Sequence, residues 1–416
     1  MPIQQVPQSP GDRPRFFYGY IVVGAALLIM AIMWGAYNLF GIFFKPVLTD
    51  FNWTRTMISG ALSLSWIVQG LLGIVMGRLT DRFGPRLVLT ISGFLVGVGY
   101  LLMSYVSTVW QLYLFYGVII GSGMGGSWVP IVSTVARWFA KRRNLMTGIV
   151  LTGVSIGTLI APPVASRLIS AYDWHTSYII VGSIVLVVVV SVAQLLRRDP
   201  TQVKQRPYGE SEGQKQEFVS ETPPFSLREA VHTRQFWLAS GMFFCFGFCF
   251  YTIMTHIALH AIDLGISPIT AANILATIGG LSIAGRLVLG SAADRFGNRQ
   301  VFIIGFILMA AALFWLVPAK ELWALYLFVV VFGFALGGCA TSESPLVAGL
   351  FGLSSHGLIL GVINLLGFTF GAAIGPLIAG YIFDINNSYQ LAFIVCAAVS
   401  VVGLILTVLL TPIEKR

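Results

Sequence analysis

ADRFGNR, residues 293–299, repeats TDRFGPR, residues 80–86, at an offset of 213 residues. At the same offset WALYLF (323–328) repeats WQLYLF (110–115), Gly361 falls on Gly148, and Pro376 falls on Pro163. Coincidences that share one offset mark a duplicated unit of about half the chain. In each copy the charged motif closes one apolar run and precedes the next. The unit is therefore a string of hydrophobic segments, and the chain is two such strings in tandem.

Composition says which solvent those strings face. Of 416 residues, 56% are hydrophobic and 10% charged, against roughly 45–50% and about 25% in soluble domains. The 45 glycines suit membrane helices that approach one another closely. Runs long enough to cross a bilayer, about 20 residues each, fall at 17–44, 55–79, 87–106, 110–137, 144–170, 175–196, 236–262, 268–292, 299–318, 322–350, 357–381 and 389–411. The expected fold is an all-α membrane protein of twelve transmembrane helices in two pseudo-symmetric six-helix bundles, residues 17–196 and 236–411. Short tails (1–16 and 412–416) flank the bundles, and a polar, proline-containing linker (197–235) joins them, with a short amphipathic helix near 225–231. Two parallel repeats with a site between them near the midplane describe a secondary transporter. The first sixteen residues lack an apolar run before a small-residue cleavage site, so no signal peptide is expected. Cys245, Cys249, Cys339 and Cys396 lie in apolar runs without histidine partners and read as packing residues, not as a metal site.

An even number of spans leaves both termini on one side. The tails and the loops after the even-numbered spans hold twenty Lys and Arg, whereas the opposite loops hold Lys45, Arg55, Arg167 and Lys320. By the positive-inside rule the termini are cytoplasmic. The net charge of +9 is thus a topology signal, and no nucleic-acid partner is expected.

One cation is left over. Arg286 lies eight residues before Asp294, about 12 Å along a helix axis, which places it in the middle of the hydrocarbon core. An arginine there costs about 2.5–3.5 kcal/mol and normally faces a cavity. Its planar fork matches a carboxylate. The other polar groups at that depth are Tyr37 and Asn38 in the first span, Asn364 in the eleventh and His256 in the seventh. These are candidates to hydrogen-bond a 2-hydroxy or 2-keto oxygen, with Phe250, Tyr251, Phe368 and Phe370 as candidate walls. The alternative for Arg286 is a structural pairing with Glu343, which instead is expected nearer the cytoplasm as a partner of Arg295 or Arg299.

The motifs narrow the reading. GRLTDRFGPR (77–86) resembles the loop signature of the major facilitator superfamily, and GSAADRFGNR (290–299) resembles its repeat. The resemblance implies that Asp81, Arg82, Arg86, Asp294, Arg295, Arg299 and Glu343 form a cytoplasmic gate of ion pairs that break and remake. RWFAKRRNLMTGIVLTGVSIGTL (137–159) is similar to the signature of the monocarboxylate transporter family, through Trp138, Phe139, Lys141, Arg142, Arg143, Gly148, Gly153 and Gly157. In that family an arginine of the eighth helix, here Arg286, binds the carboxylate. Two positions depart from the family. Asn38 stands where animal members carry a lysine, and Ser282 stands where they carry an aspartate, both tied to proton coupling. Another carrier is therefore needed.

Driving an anion against a negative-inside potential costs about 2.3 kcal/mol per charge per 100 mV, and a co-transported proton removes that cost. Asp263 is the first candidate carrier and His256 the second; they are seven residues apart, on one face of the seventh helix. Lys45, seven residues beyond Asn38, is either an outer anion guide or an ordinary interface lysine. The resulting expectation is a bacterial inner-membrane carrier of lactate- or pyruvate-like monocarboxylates with a proton, monomeric, lipid-embedded, without cofactor or metal, and not an enzyme. The rival is a carboxylate exchanger of the oxalate–formate type without proton coupling. Its second buried cation is missing, since the eleventh span has neither Lys nor Arg. A drug exporter lacks its Gly-Pro-x-x-Gly-Gly ending here, a sensor lacks an output domain, and an enzyme lacks paired acids or a nucleophile with its base.

Overall fold

The computed structural model describes residues 17–139, 143–203, 205–206, 208, 225–352 and 355–411, without the side chains of residues 143, 144, 294 and 356. Among the described residues twelve helices are long and apolar enough to cross a membrane: α1 (Gly19–Phe51), α2 (Arg55–Phe83), α3 (Pro85–Met103), α4 (Val109–Trp138), α5 (Leu145–Ala171), α6 (Trp174–Ala193), α7 (Arg234–Asp263), α8 (Pro268–Ala293), α9 (Asn298–Leu316), α10 (Leu322–Phe351), α11 (Gly357–Asn386) and α12 (Gln390–Leu409). Lys141 and Arg142 lie outside the described residues, as do the side chains of Arg143 and Asp294.

Polar residues between the apolar runs start these helices. The side chains of Thr54, Asp173, Thr233 and Ser267 accept the backbone N–H of Met57, Thr176, Phe236 and Thr270, satisfying donors that a helix N-terminus leaves open. At Asp173, in the loop before α6, the Thr176 N–H is the largest of the influences that hold the carboxyl below its usual range. In the linker, Ser226 and Glu229 form a capping box for a short helix, Leu227–Val231, close to the expected position.

Two features were not expected. The charged motif is the last helical turn and not a loop: α2 runs through Asp81 and Arg82, and the helix of α8 continues through Arg295 to Phe296. Each ends on a glycine with positive φ, Gly84 (84°) and Gly297 (91°), whose N–H reaches the carbonyl of Thr80 or Ala293. Only glycine adopts that conformation freely, and the two turns are related by the same offset of 213 residues. Second, α1 extends to Phe51 but is interrupted after Tyr37, its two parts being Gly19–Tyr37 and Phe40–Phe51. A π-helical turn also interrupts α11 at Leu365–Thr369. Such breaks free backbone groups and concentrate at functional positions.

The first six helices pack among themselves, notably α1 on α5 and α3 on α6, and the last six likewise, notably α8 on α10 and α9 on α12. The halves meet along three crossings: α5 on α8, α2 on α11, and the end of α1 on α7. Glycines set the spacing. A Cβ on Gly279 of α8 would stand 2.9 Å from the Ser155 carbonyl of α5, and one on Gly337 of α10 would stand 2.9 Å from the Arg286 amide. Outward-facing Phe94, Val187, Leu287 and Ile405 are more than half exposed, as befits side chains whose solvent is hydrocarbon.

Candidate functional site

Depth in the bundle follows from hydrogen bonds between helices. The side bearing the tails is the terminus side, and the opposite one is the far side. Asn38, at the break in α1, donates through Nδ2 to Thr158 Oγ1 of α5 at 2.8 Å. Ser282 Oγ of α8 donates to Ser155 Oγ of α5, also at 2.8 Å. These buried bonds stitch α1, α5 and α8 into a seam. Trp34 precedes Asn38 by four residues on a helix rising to the far side, and Arg286 follows Ser282 by four on a helix descending from it. Both therefore lie about 6 Å from the seam, towards the terminus side.

Arg286 is half-buried, and its Nε is sealed from solvent with no hydrogen-bond partner. Among the described residues, the charge that acts on it is that of Glu343 on α10, and Arg286 in turn acts on Glu343. They lie on α8 and α10, which cross closely at Gly337, and among the described residues no hydrogen bond or ion pair joins the two. The expected pairing of Glu343 with Arg295 or Arg299 is not formed. Arg299 donates instead to the carbonyls of Thr407 and Val408 at the end of α12, and Arg295 is exposed.

Where α2 meets α7 and α11 the packing is aromatic. Trp66 of α2 packs against Tyr251 of α7 (ring centroids 4.3 Å apart), Phe368 of α11 (5.8 Å) and Trp34 (6.1 Å). Both indole N–H groups are buried without an acceptor, and so are the Oδ1 atoms of Asn38 and Asn364, which lack donors. An unpaired buried polar group costs about 1–3 kcal/mol, and such groups stand here on α1, α2, α8 and α11. Tyr251 feels the charge of Glu343, which ties the aromatic wall to the charged one. Tyr37, by contrast, spends its hydroxyl on Ser65, and Phe370 faces outwards.

On the far side the halves are locked. Asp263, at the end of α7, receives Arg55 Nη2 at 2.6 Å and Lys45 Nζ at 3.2 Å. Arg55 is buried, lies 3.5 Å over the Phe383 ring, and donates to the Tyr389 hydroxyl. Its backbone N–H, with that of Thr56, is held by Asp384 of α11 at 2.9 and 2.8 Å. His256 completes the lock. Its Nε2 lies 2.9 Å from the Pro376 carbonyl, which can only accept, so the proton sits there and Nδ1 accepts from Tyr389 at 2.9 Å. Fully enclosed and doubly bonded, His256 belongs to this lock and offers no free atom to a substrate. Asp263 is a doubly paired ion here.

On the terminus side the described charges of the first-half motif stay within that half. Asp81 pairs with Arg137 inside the first half, Arg82 lies over the Phe83 ring, and Arg86 is exposed. Among the described residues, every ion pair between the halves is on the far side. Gly148 of α5 and Gly357 and Gly361 of α11 face open space. Among the described residues, the far side is thus where charged side chains join the halves.

The sequence model of the Major Facilitator Superfamily matches residues 26–291 and 261–416. The chain belongs to that superfamily. This transporter family accounts for the paired six-helix bundles and the repeated motif. Among curated relatives, Monocarboxylate transporter 13 of Rattus norvegicus is 25% identical over 407 residues, covering 94% of this chain and 89% of the relative. Monocarboxylate transporter 7 of Homo sapiens is 26% identical, covering 92% and 84%. The MFS-type transporter YhjX of Escherichia coli (strain K12) is 28% identical over 320 residues, 75% of each chain. Among solved structures, a bacterial homologue of the human lysosomal transporter Spinster, inward-facing and occupied, superposes with a TM-score of 0.73 at 16% identity, covering 96% of this chain and 97% of that one.

For this multi-pass membrane transporter, reading the sequence missed Trp34 and Trp66, whose side chains look like any lipid-facing tryptophan until their neighbours are known. It also missed the Arg55–Asp384–Tyr389 lock. A signal for that was present, because an arginine and an aspartate at far-side ends of different spans carry complementary charge.

Proposed function

We propose that this transporter carries small monocarboxylates, lactate- or pyruvate-like, together with a proton, by alternating access in a bacterial inner membrane with its termini in the cytoplasm. The observation that carries the reading is the Arg286 guanidinium, half-buried in an apolar helix with an Nε that has no hydrogen-bond partner. A carboxylate takes the fork bidentately. A 2-hydroxy or 2-keto oxygen takes an indole N–H or the amide of Asn364. A single fixed cation suits a single carboxylate, and the resemblance to monocarboxylate transporters supports the same class.

In this reading Glu343 carries the proton, in place of Asp263 and His256. It is the acid whose charge acts on Arg286, and among the described residues it forms no ion pair. With Glu343 charged it competes with the substrate for Arg286; once protonated it releases the guanidinium to bind. Asp263 serves closure, holding Arg55 and Lys45 when the far side is shut. The orientation rests on the charge count, twenty cations against four, and makes a molecule closed on the far side inward-facing.

The test is uptake of labelled L-lactate into proteoliposomes under an inward proton gradient, with Arg286→Ala and a protonophore as controls. Uptake lost in both supports the reading. Normal uptake by Arg286→Ala overturns the site, and uptake indifferent to the protonophore reassigns the protein to anion exchange.

A further inference from the structure

Away from the central site, a cavity of about 410 Å³ opens on the terminus side of the first half, between the start of α3 and the chain leaving α6. Its lining includes Arg86, Arg197, Arg198 and Gln202, and no carboxylate. Gly84, whose positive φ turns the chain from α2 into α3, forms part of the wall; a Cβ there would come 3.8 Å from the Arg198 Cβ.

The three guanidinium groups are only partly compensated. Arg197 spends Nη1 on the carbonyls of Gln194 and Leu196. Asp199 lies 3.4 Å from Arg198 Nε but is misaligned, so that this buried N–H has no acceptor. The Arg198 backbone is held by Gln202 Oε1 at 3.1 Å. Arg86 is exposed on the first turn of α3, and its side chain makes no hydrogen bond or ion pair among the described residues. That turn starts at Pro85 and adds the positive end of a 19-residue helix to the cavity. The nearest acid on α2, Asp81, is taken by Arg137.

We propose that this cavity binds a phosphate group, carried by an anionic phospholipid of the surrounding leaflet. The phosphate oxygens accept from Arg86 and from the terminal N–H groups of Arg198, whose Nε is ion-paired with Asp199, in charge-assisted bonds. The lipid source is favoured by what flanks the cavity. Leu87 and Ile91, four residues apart on one face of α3, are 47% and 43% exposed, and Leu195 at the end of α6 is 46% exposed. This apolar surface runs from the cavity into the depth occupied by acyl chains. A headgroup held here braces the Gly84 turn against the chain leaving α6, beside the gate motif.

The test uses the full chain, purified in detergent and exchanged against phosphatidylglycerol, phosphatidylcholine or inorganic phosphate, with retained ligand read by native mass spectrometry. Phosphatidylglycerol is expected to be retained in preference to phosphatidylcholine. Arg86→Gln and Arg198→Gln should each weaken its binding about tenfold, while Arg228→Gln, on the short linker helix, should leave it unchanged. Arg86 has no partner to lose, so its variant does not risk the fold. Equal retention of the two lipids, or unchanged retention in both cavity variants, overturns the proposal. Displacement of phosphatidylglycerol by millimolar inorganic phosphate alone overturns the lipid as source and assigns the site to a soluble phosphate.

Discussion

Asp263→Asn keeps the shape of the far-side lock and removes its charge. Arg55 would be left with the Tyr389 hydroxyl, the Phe383 ring and an uncharged amide oxygen. Arg55 is buried and its bond to Asp263 measures 2.6 Å, so the loss is that of a shielded charge-assisted hydrogen bond, about 1.5–3 kcal/mol. Lys45 is more exposed and its 3.2 Å contact adds little. The latch of Asp384 on the first turn of α2 remains. Because the Arg55–Asp263 bond exists only while α2 and α7 are together, its loss falls on the far-closed state alone. The ratio of far-open to far-closed molecules should therefore rise about ten- to a hundredfold. Ser63 reports this. It is buried between the halves, its hydroxyl donating to the Ala373 carbonyl of α11, and the native Cys245, Cys249, Cys339 and Cys396 are all buried. In a Ser63→Cys background, a membrane-impermeant thiol reagent added from the far side should react faster by that factor once Asp263→Asn is introduced. Equal rates with and without Asp263→Asn would refute the assignment of this ion pair to the lock.

Other perturbations separate the remaining roles. Trp66→Phe keeps the ring and deletes a buried N–H without an acceptor, so the substrate-free protein should gain about 1–3 kcal/mol while lactate affinity falls about tenfold. A higher melting temperature with unchanged affinity would remove Trp66 from the binding surface. Glu343→Gln should abolish accumulation driven by a proton gradient and spare exchange of internal for external lactate; gradient-driven accumulation by the variant would return the proton to another group. Asp173→Ala removes the cap of α6. Because the folded-state carboxyl is held below its usual range, its contribution is present above the ordinary carboxylate pKa and lost as pH falls through the lowered one. The melting difference between wild type and Asp173→Ala should be constant near neutrality and shrink on strong acidification; a difference unchanged down to the lowest pH would mean that the cap does not act through its charge.

How much of the fold and the site was legible in the sequence depended on the range of the interaction. Hydrophobic runs, capping residues and the duplicated DRFG turn are local in the chain. Spans and the short linker helix could accordingly be read from spacing, because a helix converts residue number into height at a constant rise. That the charged motif would be the last turn of a helix was also a local matter, since Gly84 and Gly297 mark the stop. The partners were not legible. Glu343 lies six residues beyond Gly337, where α8 and α10 approach closely, and it pairs with neither Arg295 nor Arg299 among the described residues. His256 looked like a free imidazole until α11 and Tyr389 closed over both nitrogens, and Asp263 looked like a helix-end carboxylate until α2 brought Arg55 against it. Composition and periodicity determined that this chain is a twelve-helix, twofold-repeated membrane protein with a cation, Arg286, inside an apolar run. Which groups face that cation, and which lock the far side, was decided by side-chain packing between helices distant in sequence, and such contacts leave no trace in the spacing of either helix alone.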